Sequence, residues 1–385
     1  MAAPDAGPIG IVQRSELISS APSFGQSRIG QLTAASARRR GGAMQNSRKR
    51  RPKIVVLAMP GTPAFVLYGL YEVLSGAGTL FVPTASNAQR PAHPLLDVRI
   101  AVGSVTAHYE IDGSPIKTLS LAQATSADVI IVPDVLEPPN GSACRAYPEE
   151  IALIRRAHAR GATIASVCNG ALVLAEAGLL DGADATTHWA LRDHFRTYYP
   201  KVKLRPERGL VRASGDRRVI TAGGIAMWQD LALYLIAVYC GTAEAVRVAK
   251  YFIISAHVDG QLPYASMPRE QTSDSVIAKI QMWIADNYKN DHAVATMAER
   301  SGLPVRTFAR RFRKATGYAP LDYVQAVRVE EAKQLLETTK LQIDAIGAAV
   351  GYTDPTAFRR LFKRLSGLTP SAYRRKFDVR LPVRS

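Results

Sequence analysis

Two kinds of residue in this chain could do chemistry: one cysteine, and a set of arginines. Cys168 follows the apolar run Ile164-Ala165-Ser166-Val167 and precedes Asn169-Gly170-Ala171, where a helical pattern begins. A side chain so placed stands on a tight strand-to-helix turn. There the helix N-terminus lowers a thiol pKa and offers backbone N–H groups to an oxyanion. The candidate pocket around it comprises Cys168, Asn169, Gly170, His188 and Glu72, the last within Tyr71-Glu72-Val73-Leu74. A pocket wall, a nucleophile and a small structural residue all remain open for Cys168, and Glu72 could equally be an exposed helix residue. The three cysteines, Cys144, Cys168 and Cys240, show no CxxC spacing. That argues against a disulfide framework or zinc site, and no metal or cofactor is expected.

The arginines fall in two similar units. Met297-Ala298-Glu299-Arg300-Ser301-Gly302 precedes a turn and Thr307-Phe308-Ala309-Arg310-Arg311-Phe312. Ile346-Gly347-Ala348-Ala349-Val350-Gly351 precedes a turn and Ala357-Phe358-Arg359-Arg360-Leu361-Phe362. Gly317, Pro320 and Tyr323 recur 50 positions later as Gly367, Pro370 and Tyr373. Gly302 and Gly351 should end each first helix at positive φ. Asp354 is a good N-cap before Pro355, whereas Pro304 lacks a capping residue before it. A Phe pair at i, i+4 turns one face of each second helix inward. That leaves Arg306 and Arg310 outward in the first unit, and Thr356 and Arg360 in the second. Arginine in the major groove bonds guanine bidentately; Lys314, Lys363 and Arg364 are better placed for phosphates.

The rest of the chain must position these groups. Residues 1–52 carry nine basic and two acidic side chains, residues 53–273 carry 20 and 19, and residues 274–385 carry 20 and 11. A near-neutral body beside a basic C-terminal part suggests one region for a small or neutral ligand and one for a polyanion. Residues 1–52 show no apolar periodicity and read as a disordered basic tail. The composition also mimics a transit peptide; Ser47-Arg48-Lys49-Arg50-Arg51 could touch nucleic acid; and Met44 is an alternative start. Strand-like runs at 54–57, 98–102, 129–132 and 163–167 alternate in part with helical stretches through about Gly76 and at 149–159. That pattern means an α/β domain on a parallel sheet, 53–255. Shorter β-like pieces come at 202–204, 210–212 and 219–221, then helices near 226–239 and 243–254. Residues 256–273 hold Gly260, Pro263 and Pro268 and read as a linker. An all-α domain, 274–377, and a tail, 378–385, complete the chain. No run approaches the roughly 20 apolar residues of a membrane span, so a cytoplasmic protein is expected.

The C-terminal segment resembles the AraC/XylS family on the run Gly351-Tyr352-Thr353-Asp354-Pro355-Thr356-Ala357-Phe358-Arg359-Arg360-Leu361-Phe362-Lys363, continued by Gly367-Leu368-Thr369-Pro370. The resemblance implies two helix-turn-helix units joined by a long helix, about 321–337, reading successive major-groove segments. Carried over by position, Arg306, Thr307, Arg310 and Arg311 are the DNA-binding candidates of the first unit, with Ala309 adjacent. Pro355, Thr356, Arg359, Arg360 and Lys363 are those of the second. The run from Cys168-Asn169-Gly170 to Leu180-Asp181-Gly182, with Thr186-Thr187-His188-Trp189, resembles the DJ-1/PfpI branch of class I glutamine amidotransferase-like domains. It is most similar to the GlxA-type version fused to AraC modules, with a flavodoxin-like sandwich. Asn169 stands where peptidase-like relatives place His, and Val66 where many carry an acid. The combined resemblance implies a transcription regulator, more commonly an activator. Its partners would be promoter DNA, RNA polymerase, a small effector (an amino acid derivative or quaternary amine) and a second copy of the chain. The alternative is a cysteine-dependent amidotransferase- or hydratase-like enzyme tethered to DNA.

Overall fold

A computed structural model describes residues 50–80, 93–103, 110–111, 114–116, 118–135, 147–267, 272–290 and 294–378. The tail assigned to 1–52 lies almost wholly outside these, as do Cys144, Pro268, and residues 379–385 of the C-terminal tail. Strands β1 (Lys53–Ala58), β2 (Asp97–Val102), β3 (Thr118–Ser120), β4 (Val129–Val132), β5 (Thr163–Val167), β6 (Leu210–Arg212) and β7 (Val219–Ala222) form one sheet. Their order is β6-β7-β5-β4-β1-β2-β3. Every pairing is parallel except β6 with β7, so the expected parallel sheet is present with one antiparallel edge strand added. β3 was not foreseen: Thr-Leu-Ser is too short and polar to read as a strand, and it survives only as an edge on β2.

The inner strands are buried on both faces, which is why they read as continuous apolar runs. On one face lie helices α1 (Ala64–Ser75), α5 (Trp228–Cys240) and α6 (Thr242–Phe252); on the other lie α2 (Pro148–Ala159) and α3 (Gly170–Glu176). A short helix, α4 (Arg192–Tyr198), follows α3 on the same side and buries Phe195. Parallel order sends the C-terminal ends of β1, β4, β5 and β7 to one edge, where Asp134, Cys168 and Gly223 follow their strands.

Beyond residue 272 the described chain is helical: α7 (Ser275–Asn287), α8 (Val294–Ser301), α9 (Val305–Thr316), α10 (Pro320–Thr338), α11 (Ile343–Ala349), α12 (Pro355–Ser366) and α13 (Pro370–Phe377). The 50-residue repeat is geometric as well as sequential. Phe308 and Phe312 lie 5.4 Å apart by ring centroid, with Tyr323 edge-on to Phe312 at 5.3 Å. Phe358 and Phe362 lie 5.9 Å apart, with Tyr373 edge-on to Phe362 at 5.5 Å. Thr316 Oγ1 donates to Phe312 O and Ser366 Oγ to Phe362 O, both at 2.8 Å. Gly302, Gly351, Gly317 and Gly367 all have positive φ, 69 to 90°. α10 joins the units because its ends belong to different cores: Tyr323 and Val324 in the first, Val329, Ala332 and Leu336 in the second. Between them the buried guanidinium of Arg328 donates to the carbonyls of Tyr288, Asn290 and Gly351 at 2.6, 2.8 and 3.0 Å.

The aromatic triads close each unit. Phe312→Ala and Phe362→Ala should each cost about 3–5 kcal/mol, seen as a lower urea midpoint by far-UV circular dichroism. A loss below about 1 kcal/mol at either position would show that the triads do not hold the units together.

Candidate nucleic-acid interface and the cysteine elbow

α9 and α12 present their basic faces because their Phe pairs are buried. Arg306 and Arg310 are exposed, as are Pro355, Thr356, Arg360 and Lys363; Thr307 is half-buried. None of the Arg306, Arg310, Arg360 or Lys363 side chains makes a hydrogen bond or ion pair among the described residues, so their charges stand free. The Asp354 carboxylate caps α12 by accepting from Thr356 N at 2.8 Å, while Pro304 gives α9 no side-chain cap.

Two expected DNA contacts are engaged elsewhere. Arg311 Nε and Nη2 donate to the Asp274 carboxylate at 2.6 and 3.0 Å. That carboxylate also caps α7 through Val276 N and Ile277 N, and the Arg311 bond holds its carboxyl below the ordinary Asp range. Arg311 therefore ties α9 to α7 while its side chain stays 42% exposed, so DNA would have to compete with Asp274 for it. Arg359 pairs with Asp344 of α11 across the unit's own turn; both are about half exposed, so DNA would have to displace that pair.

In the α/β domain Cys168 sits at φ 54°, a left-handed conformation rare for a residue with a Cβ. Its N–H donates to Ala222 O and Gly223 O, and its carbonyl accepts from Thr187 Oγ1 at 2.9 Å. Gly170 is needed two residues on: a Cβ there would lie 2.5 Å from Val132 O and Pro133 O. The elbow is therefore real, yet what surrounds it is not an activated nucleophile. Cys168 is 3% exposed, and burial, reinforced by the negative charge of Asp134, pushes its thiol well above the ordinary range.

Asp134 is the residue the sequence reading missed. It is 2% exposed, and its Oδ1 accepts the backbone N–H of Asn169 at 3.0 Å. That N–H follows the would-be nucleophile and is the donor an oxyanion needs. A carboxylate of the chain itself occupies it. Asn169 Nδ2 donates to Val135 O at 2.6 Å, so the side chain is also spent on holding this loop. The available signal was position: Asp134 follows β4 at the sheet edge where parallel strands end.

His188 is half-buried with Nδ1 accepting from Ala190 N at 3.2 Å. Burial lowers its pKa, partly opposed by Asp134. It caps a turn and does not bond to Cys168. Val66, where relatives would carry an acid, is buried in the same apolar cluster as Cys168. Glu72 does not belong to the pocket wall: α1 buries Val66, Leu67, Leu70, Val73 and Leu74, and Glu72 is exposed on the opposite side. Among the described residues no group of His, Cys, Asp and Glu could hold a metal ion, and no helix is long and apolar enough to cross a membrane.

Comparison with known proteins follows these two parts. Residues 52–237 match the DJ-1/PfpI family model and residues 297–376 match a helix-turn-helix domain model. The HTH-type transcriptional regulator CdhR of Pseudomonas aeruginosa is 30% identical over 239 residues, 61% of this chain and 70% of that protein. The chain belongs to the AraC family of transcriptional regulators. In this regulator the helix-turn-helix module follows a DJ-1/PfpI domain; the HTH-type transcriptional regulator GlxA of Rhizobium meliloti is 29% identical over 225 residues, 58% of this chain and 68% of that protein. The DNA-binding domain of AdpA, solved with a target DNA, is 36% identical over 28% of the regulator and 96% of that chain, at a TM-score of 0.27.

The elbow of the regulator should be chemically quiet. Native Cys168 should resist iodoacetamide at pH 8, and Asp134→Asn should speed its alkylation roughly tenfold for each unit the thiol pKa falls. Intact-protein mass spectrometry with peptide mapping reads the rate; equal rates in both forms would mean that Asp134 does not restrain the thiol.

Proposed function

We propose that the regulator reads promoter DNA through Arg306 and Arg310 on α9 and through Pro355, Thr356 and Arg360 on α12, with Lys363 on phosphate. Its DJ-1/PfpI domain senses a small metabolite at the Cys168 elbow without turning it over. Under this reading it acts in the cytoplasm as a homodimer and activates transcription by engaging RNA polymerase. Residues 53–255 form the sensor and 274–377 the reader. The observation that carries the reading is the pair of Phe-anchored helices bearing unpaired outward arginines. Free guanidiniums on a rigid helix are what bidentate guanine recognition requires. On the sensor side, the Asp134 carboxylate on Asn169 N–H supports ligand sensing over catalysis. A reaction proceeding through an oxyanion would have to expel a fixed negative charge from the seat it needs. The effector's binding would shift an existing equilibrium between arrangements of the chain.

Arg310→Ala and Arg360→Ala should each weaken binding to a selected duplex by about 1–3 kcal/mol, roughly 5- to 160-fold, and relax preference at one base pair. Lys363→Ala should lower affinity alike for all sequences and reduce the slope of log K against log salt by about 1. Arg311→Ala should leave base preference unchanged while lowering the melting temperature. Fluorescence anisotropy across a salt series, on the selected duplex and its single-base-pair variants, measures affinity and preference, and thermal denaturation measures the Arg311→Ala loss; a double Arg310→Ala, Arg360→Ala variant that kept its sequence preference would sink the reading. A metabolite screen on the full chain tests sensing: a true effector raises the melting temperature and changes promoter affinity.

A further inference from the structure

The segment read as a linker does not hang free. Gln261, 1% exposed, is driven into the sensor. Its Nε2 donates to Thr187 O, Pro206 O and Arg208 O at 2.8 to 3.1 Å, and its Oε1 accepts from Gly224 N at 2.8 Å. It stands one residue from the elbow on both sides. Thr187, whose carbonyl it holds, donates its own Oγ1 to Cys168 O, and Gly223, next to Gly224, accepts from Cys168 N. The neighbouring residues then grip the second helix-turn-helix unit. Asp259 pairs with Lys376 of α13 at 2.9 Å, Tyr264 stacks edge-on against Phe377, and Ala265 O accepts from Lys333 Nζ of α10 at 2.6 Å.

The first unit has Met267 of the same segment against its core, and a second hold of its own from α4. Arg192 of α4 donates to Tyr318 OH at 2.8 Å with its guanidinium 5.2 Å from that ring's centre, and Arg196 packs against Gly317. Leu262 packs against Gly367. Gly317 and Gly367 are equivalent positions of the repeat, so the sensor holds each unit at the same turn through two different handles. One handle, α4, is part of the sensor; the other is the segment pinned by Gln261 beside the elbow.

We infer that Gln261 is the positioning residue that links the Cys168 elbow to the second reading unit, so that the state of the elbow sets how α12 is presented relative to α9. The inference rests on the reading that the sensor governs DNA binding. A change at Thr187 or Gly223–Gly224 alters the seat of Gln261 and shifts Asp259, Leu262 and Tyr264, while the first unit keeps its hold on α4 through Arg192 and Arg196. Coupling then runs through a contiguous set of bonded groups with one movable handle.

The test uses the full chain and a duplex selected from a random pool by the wild-type protein, so no effector is needed. Gln261→Ala is the direct variant. Because it could also unfold the segment, a cycle of Thr187→Val and Lys376→Ala accompanies it. Each single change should lower duplex affinity at least about threefold with the melting temperature held, and the double should fall short of the product of the two losses, since both act on one handle. Hydrogen exchange should show α13 amides opening faster in Thr187→Val, although Thr187 belongs to the other domain. Multiplying losses, wild-type affinity in the single variants, or unchanged exchange in α13 would each overturn the inference. Failure of the DNA reading itself shows separately, as indifference of the same duplex to Arg310→Ala and Arg360→Ala.

Discussion

A carboxylate lodged where a nucleophile elbow reserves room for developing negative charge decides what the N-terminal domain is suited to do. Asp134 Oδ1 takes the Asn169 N–H, burial and that carboxylate push the adjacent thiol's pKa up, and Cys168 is held in a left-handed turn. The strain of that corner persists because its surroundings over-determine it: Ala222 and Gly223 hold its N–H, Thr187 holds its carbonyl, and Gly170 lets α3 approach β4. A strand-to-helix elbow is thus present with a buried thiol and with a carboxylate on the backbone donor beside it.

The DNA-binding half solves a different problem, presenting charge without burying it. Each unit places an aromatic triad behind a helix so that arginines project without needing protein partners, and where an arginine turns sideways it finds one, as Arg311 does in Asp274. Guanidiniums therefore divide by partner: Arg311 and Arg359 are paired with carboxylates of their own module, while Arg306, Arg310 and Arg360 are left unpaired on the helix surface. The ordering depends on i, i+4 spacing of Phe and on glycines at the turns, which is why two units of such similar geometry recur 50 residues apart.

That dependence on local spacing explains what the sequence made legible. The inner strands, the Phe pairs, the Asp354 cap, the positive-φ glycines and the elbow at Cys168 each follow from residues within a few positions of one another. The antiparallel edge β6, the polar strand β3, the pairing of Arg311 with Asp274 and the exposure of Glu72 depend on what lies across the fold. The two most consequential side chains were of this second kind. Asp134 lies 35 positions from Asn169. Gln261, in a stretch whose glycines and prolines suggested slack chain, acquires its meaning only from carbonyls 53 to 74 positions away. Periodicity carries no information about such meetings; the convergence of strand ends at one sheet edge carries some, and would have pointed to Asp134.

Arg328 has a consequence for how such a module can be divided. Its guanidinium draws carbonyls from the end of α7 and from the turn of the second unit onto one buried cation in the middle of α10. Take away either side and the cation loses part of its carbonyl cage and opens to water, so each unit supplies part of the seat on which the other's stability rests.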